Sequence, residues 1–507
     1  MKDKSRTEYS MLNISVSSAV RIITIVLGYI TRMVFTRMLN QHYVGVSGLF
    51  LEFFKLLSLS ELGIGIAITY ALYKPIAEGD EEKQKSVMDL YRRFYNRVAL
   101  FILVIGLLML PFLDILIKDQ PNVENLQLIY LLYLTNSVVS YLFVYKKTLI
   151  EAHQQMYVSV LNYGLFMTLQ YTLQIVILVC TSNFILYLVT YLLCTLLHNI
   201  VISHKAGKMY PYLKEKEVHP LSDEERQGIT KNIKAMVMHK IGTVTVQNTD
   251  SLLISSMIGI VSTACYTNYR LIIGSVQQIL NQAFLAMSAS IGNLGTVEDR
   301  QKLTTVFESI FFIDFWLYGF VSICLFELLA PFVAISFGEQ YVFSIDVTFI
   351  LCLNFYLTGI RQAALTFRDS LGLFWHDRYK SIVEAVLNLG ASVLLAYFLG
   401  ISGIFWGTFI STVIVPLWVE PYILYKYQMK QPLLRYFLKL GLYTIVVLLS
   451  GMITHIICSY IEGDYIRQVL LKVPVCAVVP NCLIWLFFHR TEEYRHLFNK
   501  IKLVLRR

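Results

Sequence analysis

Charge is scarce in this sequence of 507 residues: Asp, Glu, Lys and Arg together make up 15%, against 56% hydrophobic residues. A soluble domain carries about 25% charged residues, so a surface meant for water is excluded. Paired cysteines are lacking too. Most of the eight, including Cys180, Cys194, Cys324, Cys352, Cys476 and Cys482, lie inside apolar runs with no metal or disulfide spacing, and read as small helix-packing residues. There is no GxxxxGK[ST] phosphate loop, which excludes a built-in ATP motor and leaves an ion gradient, the membrane potential or the substrate gradient as the energy source. No HExxH, Cys-x-x-Cys or serine-nucleophile motif occurs, so the chain reads as a non-enzyme without metal or cofactor.

What is abundant is long apolar segments, and the mean hydropathy is +0.59. Runs long enough to cross a bilayer, about 20 residues, recur near 12–38, 44–73, 98–117, 126–147, 158–180, 184–203, 235–258, 266–290, 305–337, 344–367, 380–399, 402–425, 435–457 and 468–488. The expected class is therefore an all-α polytopic membrane protein of about 14 helices. The start, MKDKSRTEYS and then a long first span, lacks a short apolar core with a cleavage site, so the first helix is expected to stay as an anchor.

The formal net charge of +9 is spread over many loops, not gathered in one basic domain, which argues against nucleic acid. Lysine and arginine concentrate in alternate connections, above all 74–97, 205–234, 426–439 and the tail 490–507. The positive-inside rule then puts these segments and both termini in the cytoplasm. Connections on the other side, 181–183, 259–265 and 338–343, are too short for an outer catalytic domain or a roomy polymerase surface. The sequence divides into an N-terminal lobe (1–205), a cytoplasmic amphipathic linker (206–234), a C-terminal lobe (235–426) and a terminal helix pair with a basic tail (427–507). Within the linker, Ser222-Asp223-Glu224-Glu225 has capping-box spacing and predicts a helix start.

A charge at mid-bilayer costs about 2.5–3.5 kcal/mol on insertion scales, so embedded charges need a partner or a wet cavity. Arg21 and Arg32 lie eleven residues apart in the first span; at about 100° per residue they fall within roughly 20° of one helix face. In the second span, Glu52 and Lys55 are spaced to pair with each other. Lys240, Thr243, Gln247 and Asp250 recur at steps of three and four in the seventh, and Arg270, Gln277, Asn281 and Ser288 make a similar stripe in the eighth. Such stripes serve either as interhelical glue or as cavity lining. Arg21, Arg32, Lys55, Lys240, Gln247, Arg270, Gln277 and Asn281 are the cavity candidates. Glu308, Asp314, Glu327, Arg361, Glu384 with Asn388, and Glu420 are further embedded polar groups, several of them expected to snorkel toward the interfaces. Prolines at 111, 331, 416, 421, 474 and 480 predict bends.

Three blocks carry a family resemblance. They are LSLSELGIGIAITYALYKPIAEGD (57–80), NTDSLLISSMIGIVSTACYTNYRLI (248–272) with ASIGNL (289–294), and FRDSLGLFWHDRYKSIVEAVLNL (367–389). Over nearly its whole length the chain resembles the oligosaccharide-lipid flippases of bacterial polysaccharide synthesis, in the multidrug/oligosaccharidyl-lipid/polysaccharide exporter superfamily. The resemblance implies two six-helix lobes around a central cavity plus two C-terminal helices, working by alternating access as a monomer in the bacterial inner membrane. It implies a short glycan on undecaprenyl pyrophosphate as cargo, for capsule, exopolysaccharide or O-antigen-like glycans, with a polymerase and glycosyltransferases of the same pathway as partners. It marks Glu61, Lys74, Arg368, Asp369 and Glu384 as motif or gating residues, and Asp250 as the group for Na+ or H+ coupling. Lipid II flippases use arginines of early and eighth spans, which points to Arg21 and Arg270. A multidrug and toxin extrusion type antiporter is the alternative and should show an acidic cavity; a membrane-embedded polysaccharide polymerase is a weaker one.

Overall fold

A computed structural model of the chain describes residues 6–58, 61–119, 121–143, 145–215, 218–230, 248–296, 300–373, 376 and 379–495. Among these residues the regular structure is helical, with no strand, and 11 helices are long and apolar enough to cross a membrane. The fold is an all-α polytopic membrane bundle consistent with about 14 helices. Large apolar side chains stand outward, such as Leu165, Phe398, Leu438 and Leu470, each at least 66% exposed. Water would not tolerate that surface; lipid does.

The chain forms two compact units, Met1–Ala264 and Cys265–Arg507. The first holds α1 (Arg6–Met38), α2 (Gln41–Leu57), α3 (Glu61–Glu78), α4 (Glu81–Met109), α5 (Leu126–Tyr141), α6 (Tyr145–Ala152), α7 (Met156–Thr181) and α8 (Phe184–Met209). Helix α1 packs along α7, α7 along α8, and α5 against α4 and α8. The expected single span 44–73 is two helices. The first ends at Ser58, whose hydroxyl donates to the Phe54 carbonyl at 2.7 Å and so competes for the helix's last acceptors. Helix α4 begins at Glu81, well before the expected apolar start, with Asp80 accepting from the Lys83 N–H at 2.8 Å.

Residues 210–215 and 218–225 lie over the start of α4. Tyr212 Oη donates to Gln84 Oε1 at 2.6 Å, Lys85 pairs with Glu215 at 2.9 Å, and Ser86 Oγ donates to the His219 carbonyl at 2.6 Å. Tyr210 stacks on His153 with centroids 4.6 Å apart; burial among these rings lowers the His153 pKa. The linker helix starts as its capping spacing predicts: Ser222 Oγ accepts from the Glu225 N–H at 3.3 Å. Lys83 pairs with the Glu225 carboxylate.

The second unit holds most of α9 (Ile260–Thr296), then α10 (Arg300–Phe337), α11 (Ile345–Gly359), α12 (Gln362–Ser370), α13 (Lys380–Leu399), α14 (Ile401–Ile414), α15 (Pro416–Leu424), α16 (Leu434–Ser459) and α17 (Tyr465–Phe488). Helices α13 and α14 form a tight hairpin. A Cβ on Gly403 would stand 2.1 Å from the Leu395 carbonyl, and one on Gly407 2.4 Å from the Ser392 nitrogen, so this GxxxG pair lets two backbones touch. The terminal pair α16–α17 packs on α10 through stacked rings, including Phe315 on Tyr443 at 4.3 Å and Phe311 on Tyr436 at 4.8 Å. Each such pair adds about 0.5–1.5 kcal/mol beyond area burial. Pro111 lies in a 3-10 turn that closes α4, and Pro416 opens α15 after the break at Val415.

Candidate functional site

In the first unit, Arg32 of α1 lies against an aromatic cluster. Arg32 is half-buried, its Cζ 5.6 Å from the Phe35 ring centroid. Phe35 in turn meets Phe184 at 5.5 Å and Tyr187 at 5.1 Å, at the start of α8. Arg21, on the same helix, is exposed. Tyr133 shares a 2.7 Å hydrogen bond with Ser47 of α2. Gly28 brings α1 close to Tyr171: a Cβ there would be 3.2 Å from its hydroxyl. A tyrosine ring offers an apolar face and a polar edge, as a sugar does, and a guanidinium offers paired donors that suit phosphate.

The tyrosines were not among the sequence candidates. A signal existed in the four-residue step from Tyr187 to Tyr191 along α8 and the high tyrosine content, 33 residues. Tyrosine is common in apolar helices, and hydropathy does not say which face it occupies.

The remaining candidates are placed as follows. Lys55 pairs with buried Glu52 at 2.9 Å, the spacing-derived ion pair, while its own side chain stays 60% exposed. Lys240 and Gln247 lie outside the described residues, as does the side chain of Glu61. Asp250 is buried just before a π-turn at Ile254–Ile258, where Gly259 takes φ 142°. Arg270 and Gln277 are half-buried on α9, and Asn281 Oδ1 accepts from Tyr318 Oη of α10 at 2.8 Å, an interhelical bond. Lys74 is exposed, 3.8 Å from Glu78.

Arg368 and half-buried Glu384 border a buried charge cluster of the second unit, and Asp369 is exposed beside it. Between α11 and α12 the helix breaks, and Asp314 of α10 accepts the Ala363 N–H at 2.7 Å. At this break Arg361 holds both oxygens of Glu420 on α15, at 2.7 and 3.0 Å, and Lys380 of α13 reaches the same carboxylate at 2.5 Å. Glu384 lies in the field of Arg361 and Lys380, and Arg368 bonds Asp369 at 2.6 Å. Asp314 and Glu420 are fully buried and Arg361 nearly so. Arg361 and Lys380 thus close on Glu420 from two other helical segments, and the cluster acts as a brace.

This corrects the expectation of snorkelling for several embedded groups. Glu327 is buried at 4% exposure, 2.7 Å from His455 Nδ1 and 3.7 Å from Lys472 Nζ. Glu308 joins Arg435 at 3.3 Å and Lys439 at 3.1 Å. The partners come from helices far along the chain, so a short side chain need not reach water. Asn388 is likewise interhelical, donating to Thr408 at 2.9 Å.

No family model matches the sequence, and no curated protein matches it. Solved structures do. The lipid II flippase MurJ in an inward closed conformation superposes with TM-score 0.66 at 11% identity, covering 93% of this chain and 98% of its own. An inward-facing multidrug resistance MATE family transporter of the MOP superfamily gives TM-score 0.61 at 17% identity, over 82% and 98%. A Vibrio cholerae MATE transporter, VcmN, gives 0.56 at 14%, over 84% and 99%. At such identities the likeness is one of fold.

Proposed function

We propose that this protein is a flippase that carries undecaprenyl-pyrophosphate-linked oligosaccharide units from the cytoplasmic to the outer leaflet of a bacterial inner membrane, by alternating access. The observation that carries the reading is Arg32 of α1, half-buried against the Phe35 ring, which itself meets Phe184 and Tyr187 of α8. Guanidinium groups suit the pyrophosphate and the rings suit the glycan. A shared fold with MurJ, named as a lipid II flippase, supports a lipid-linked cargo.

The multidrug reading draws on the MATE neighbours. It needs an acidic group for an organic cation. Glu52, Glu327 and Glu420 are each bound to a basic side chain, and Asp314 to a backbone N–H. That commitment of the embedded carboxylates favours the anionic cargo. Asp250 is the group proposed for Na+ or H+ coupling, both termini are proposed to be cytoplasmic, and the four-part division at 205, 234 and 426 is the proposed lobe plan. The surface polymer would be a capsule, an exopolysaccharide or an O-antigen-like glycan, built with a polymerase and glycosyltransferases.

The deciding experiment is gene deletion with analysis of lipid-linked glycans. Accumulation of the glycan-lipid on the inner leaflet is expected. Complementation with Arg21→Ala or Arg270→Ala should restore about tenfold less surface glycan at equal membrane abundance, since a hydrogen bond to a charged group contributes about 1.5–3 kcal/mol. Accumulation of a cationic drug without any glycan-lipid would replace this reading with the multidrug one.

A further inference from the structure

We propose a second lipid site, at the basic end of the first unit, that binds the headgroup of an anionic glycerophospholipid. It stands apart from the α1 arginines and does not depend on the flippase reading. A cavity of about 310 Å³ opens where α5 breaks into α6, lined by Phe143, Lys146, Ile200, Ser203, His204 and Gly207. That volume lies at the lower end of the range for ligand pockets, about 300–1,000 Å³. Its cationic, imidazole and hydroxyl groups line one side, and no carboxylate lines it.

The cavity walls are held in place by the fold. Asn199, buried in α8, donates to the Val139 carbonyl at 2.8 Å and the Ser140 carbonyl at 3.3 Å, pinning the end of α5 to α8. The chain then turns through Phe143 at φ 66°, a left-handed conformation costly for a residue with a Cβ, and leaves its ring 45% exposed at the cavity mouth. Such strain persists where surrounding structure holds it, and marks positions with a task.

Two features identify the ligand class. Below the cavity, Leu193, Leu197 and Ile200 follow each other at steps of four and three on α8, 51%, 46% and 45% exposed, an apolar track for an acyl chain. Above it, His204, Lys205 and Lys208 are exposed at the end of the same helix, where basic side chains attract anionic lipid. A neighbouring cavity of about 290 Å³ shares Lys146, but its other cations, Lys85 and Arg92, are each paired within it, with Glu215 at 2.9 Å and Asp89 at 2.6 Å. The phosphodiester therefore belongs on the Phe143 side of Lys146. Ser203 supplies a hydroxyl donor and His204 a second nitrogen donor.

The test uses the full-length protein in detergent and native mass spectrometry, with dioleoyl phosphatidylglycerol or phosphatidylcholine added stepwise. The wild type should retain phosphatidylglycerol in preference. Lys146→Gln with His204→Gln should lower the retained amount by about tenfold, the size expected for losing charged hydrogen-bond donors. Ile200→Trp, which fills the cavity and changes no charge, should lower it too, with thermal unfolding measured to show that the fold is intact. Lys205→Gln with Lys208→Gln should lower it much less than the cavity variants do, because those residues attract the lipid from outside the lining. The proposal is overturned if the two lipids are retained equally, if the cavity variants hold as much phosphatidylglycerol as wild type, or if the Lys205 and Lys208 changes remove as much as the cavity variants do. Displacement of the bound lipid by equimolar undecaprenyl phosphate would assign the cavity to the isoprenyl carrier and overturn it as well.

Discussion

The two units hold embedded charge differently. In Cys265–Arg507, Arg361, Lys380 and Glu420 meet one another in a dry core, and Glu327 meets His455 and Lys472. In Met1–Ala264, Lys55 meets Glu52 within a single helix and Arg32 lies against the Phe35 ring. The contrast teaches that an intramembrane charge is not by itself a mark of function. A charge with an opposite charge against it from another helix braces helices, whereas Arg32, packed on a ring, is the one proposed to meet an anionic cargo.

That contrast can be broken most severely at Glu420. Glu420→Ala leaves Arg361 and Lys380 facing each other without their carboxylate, and breaking a buried pair costs about 3–5 kcal/mol. Thermal unfolding of the purified protein should show a large loss of stability, and a wild-type melting curve would show that the cluster is no brace. Arg32→Ala should do the reverse. Its melting curve should stay close to wild type while glycan transport falls about tenfold, corresponding to about 1.5 kcal/mol of a charged hydrogen bond. Equal transport by this variant would erase the distinction between the units.

The smallest expected effect concerns the linker of the first unit. The Lys83 ammonium, as hydrogen-bond donor, lowers the Glu225 pKa below its ordinary value of 4.5. Because the folded-state pKa is depressed, this docking is fully present above pH 4.5 and is lost as pH falls through the folded value. An exposed pair of this kind contributes about 0.2–1 kcal/mol. Hydrogen exchange over 218–230 should rise slightly on acidification, and Glu225→Gln should show the raised exchange already at pH 7. An unchanged rate in that variant would mean the linker is held by the contacts of Tyr210, Tyr212, Glu215 and His219 without it.

Much of the fold was legible because hydropathy is local. The span expected at 380–399 is α13 as observed, Lys380–Leu399, and the spacing that predicted a Glu52–Lys55 pair is met at 2.9 Å. Breaks were less legible. The expected span 344–367 divides at Arg361, where Asp314, 49 residues away, takes the N–H of Ala363. The span expected over 126–147 divides likewise, with Asn199 of α8 bonded to the end of α5. The candidate site was readable only in its arginines. The aromatic surroundings of Arg32 come from α1 and α8, and no spacing within one helix reports them.

The sequence alone determined that the chain is a multi-span helical membrane protein, since an apolar run of about 20 residues has no stable alternative to a helix in lipid. Tertiary structure alone decided which embedded charges are braces and which lie against rings. The reason is physical: spacing sets the angle between two residues of one helix, but what each faces depends on how that helix is rotated against its neighbours.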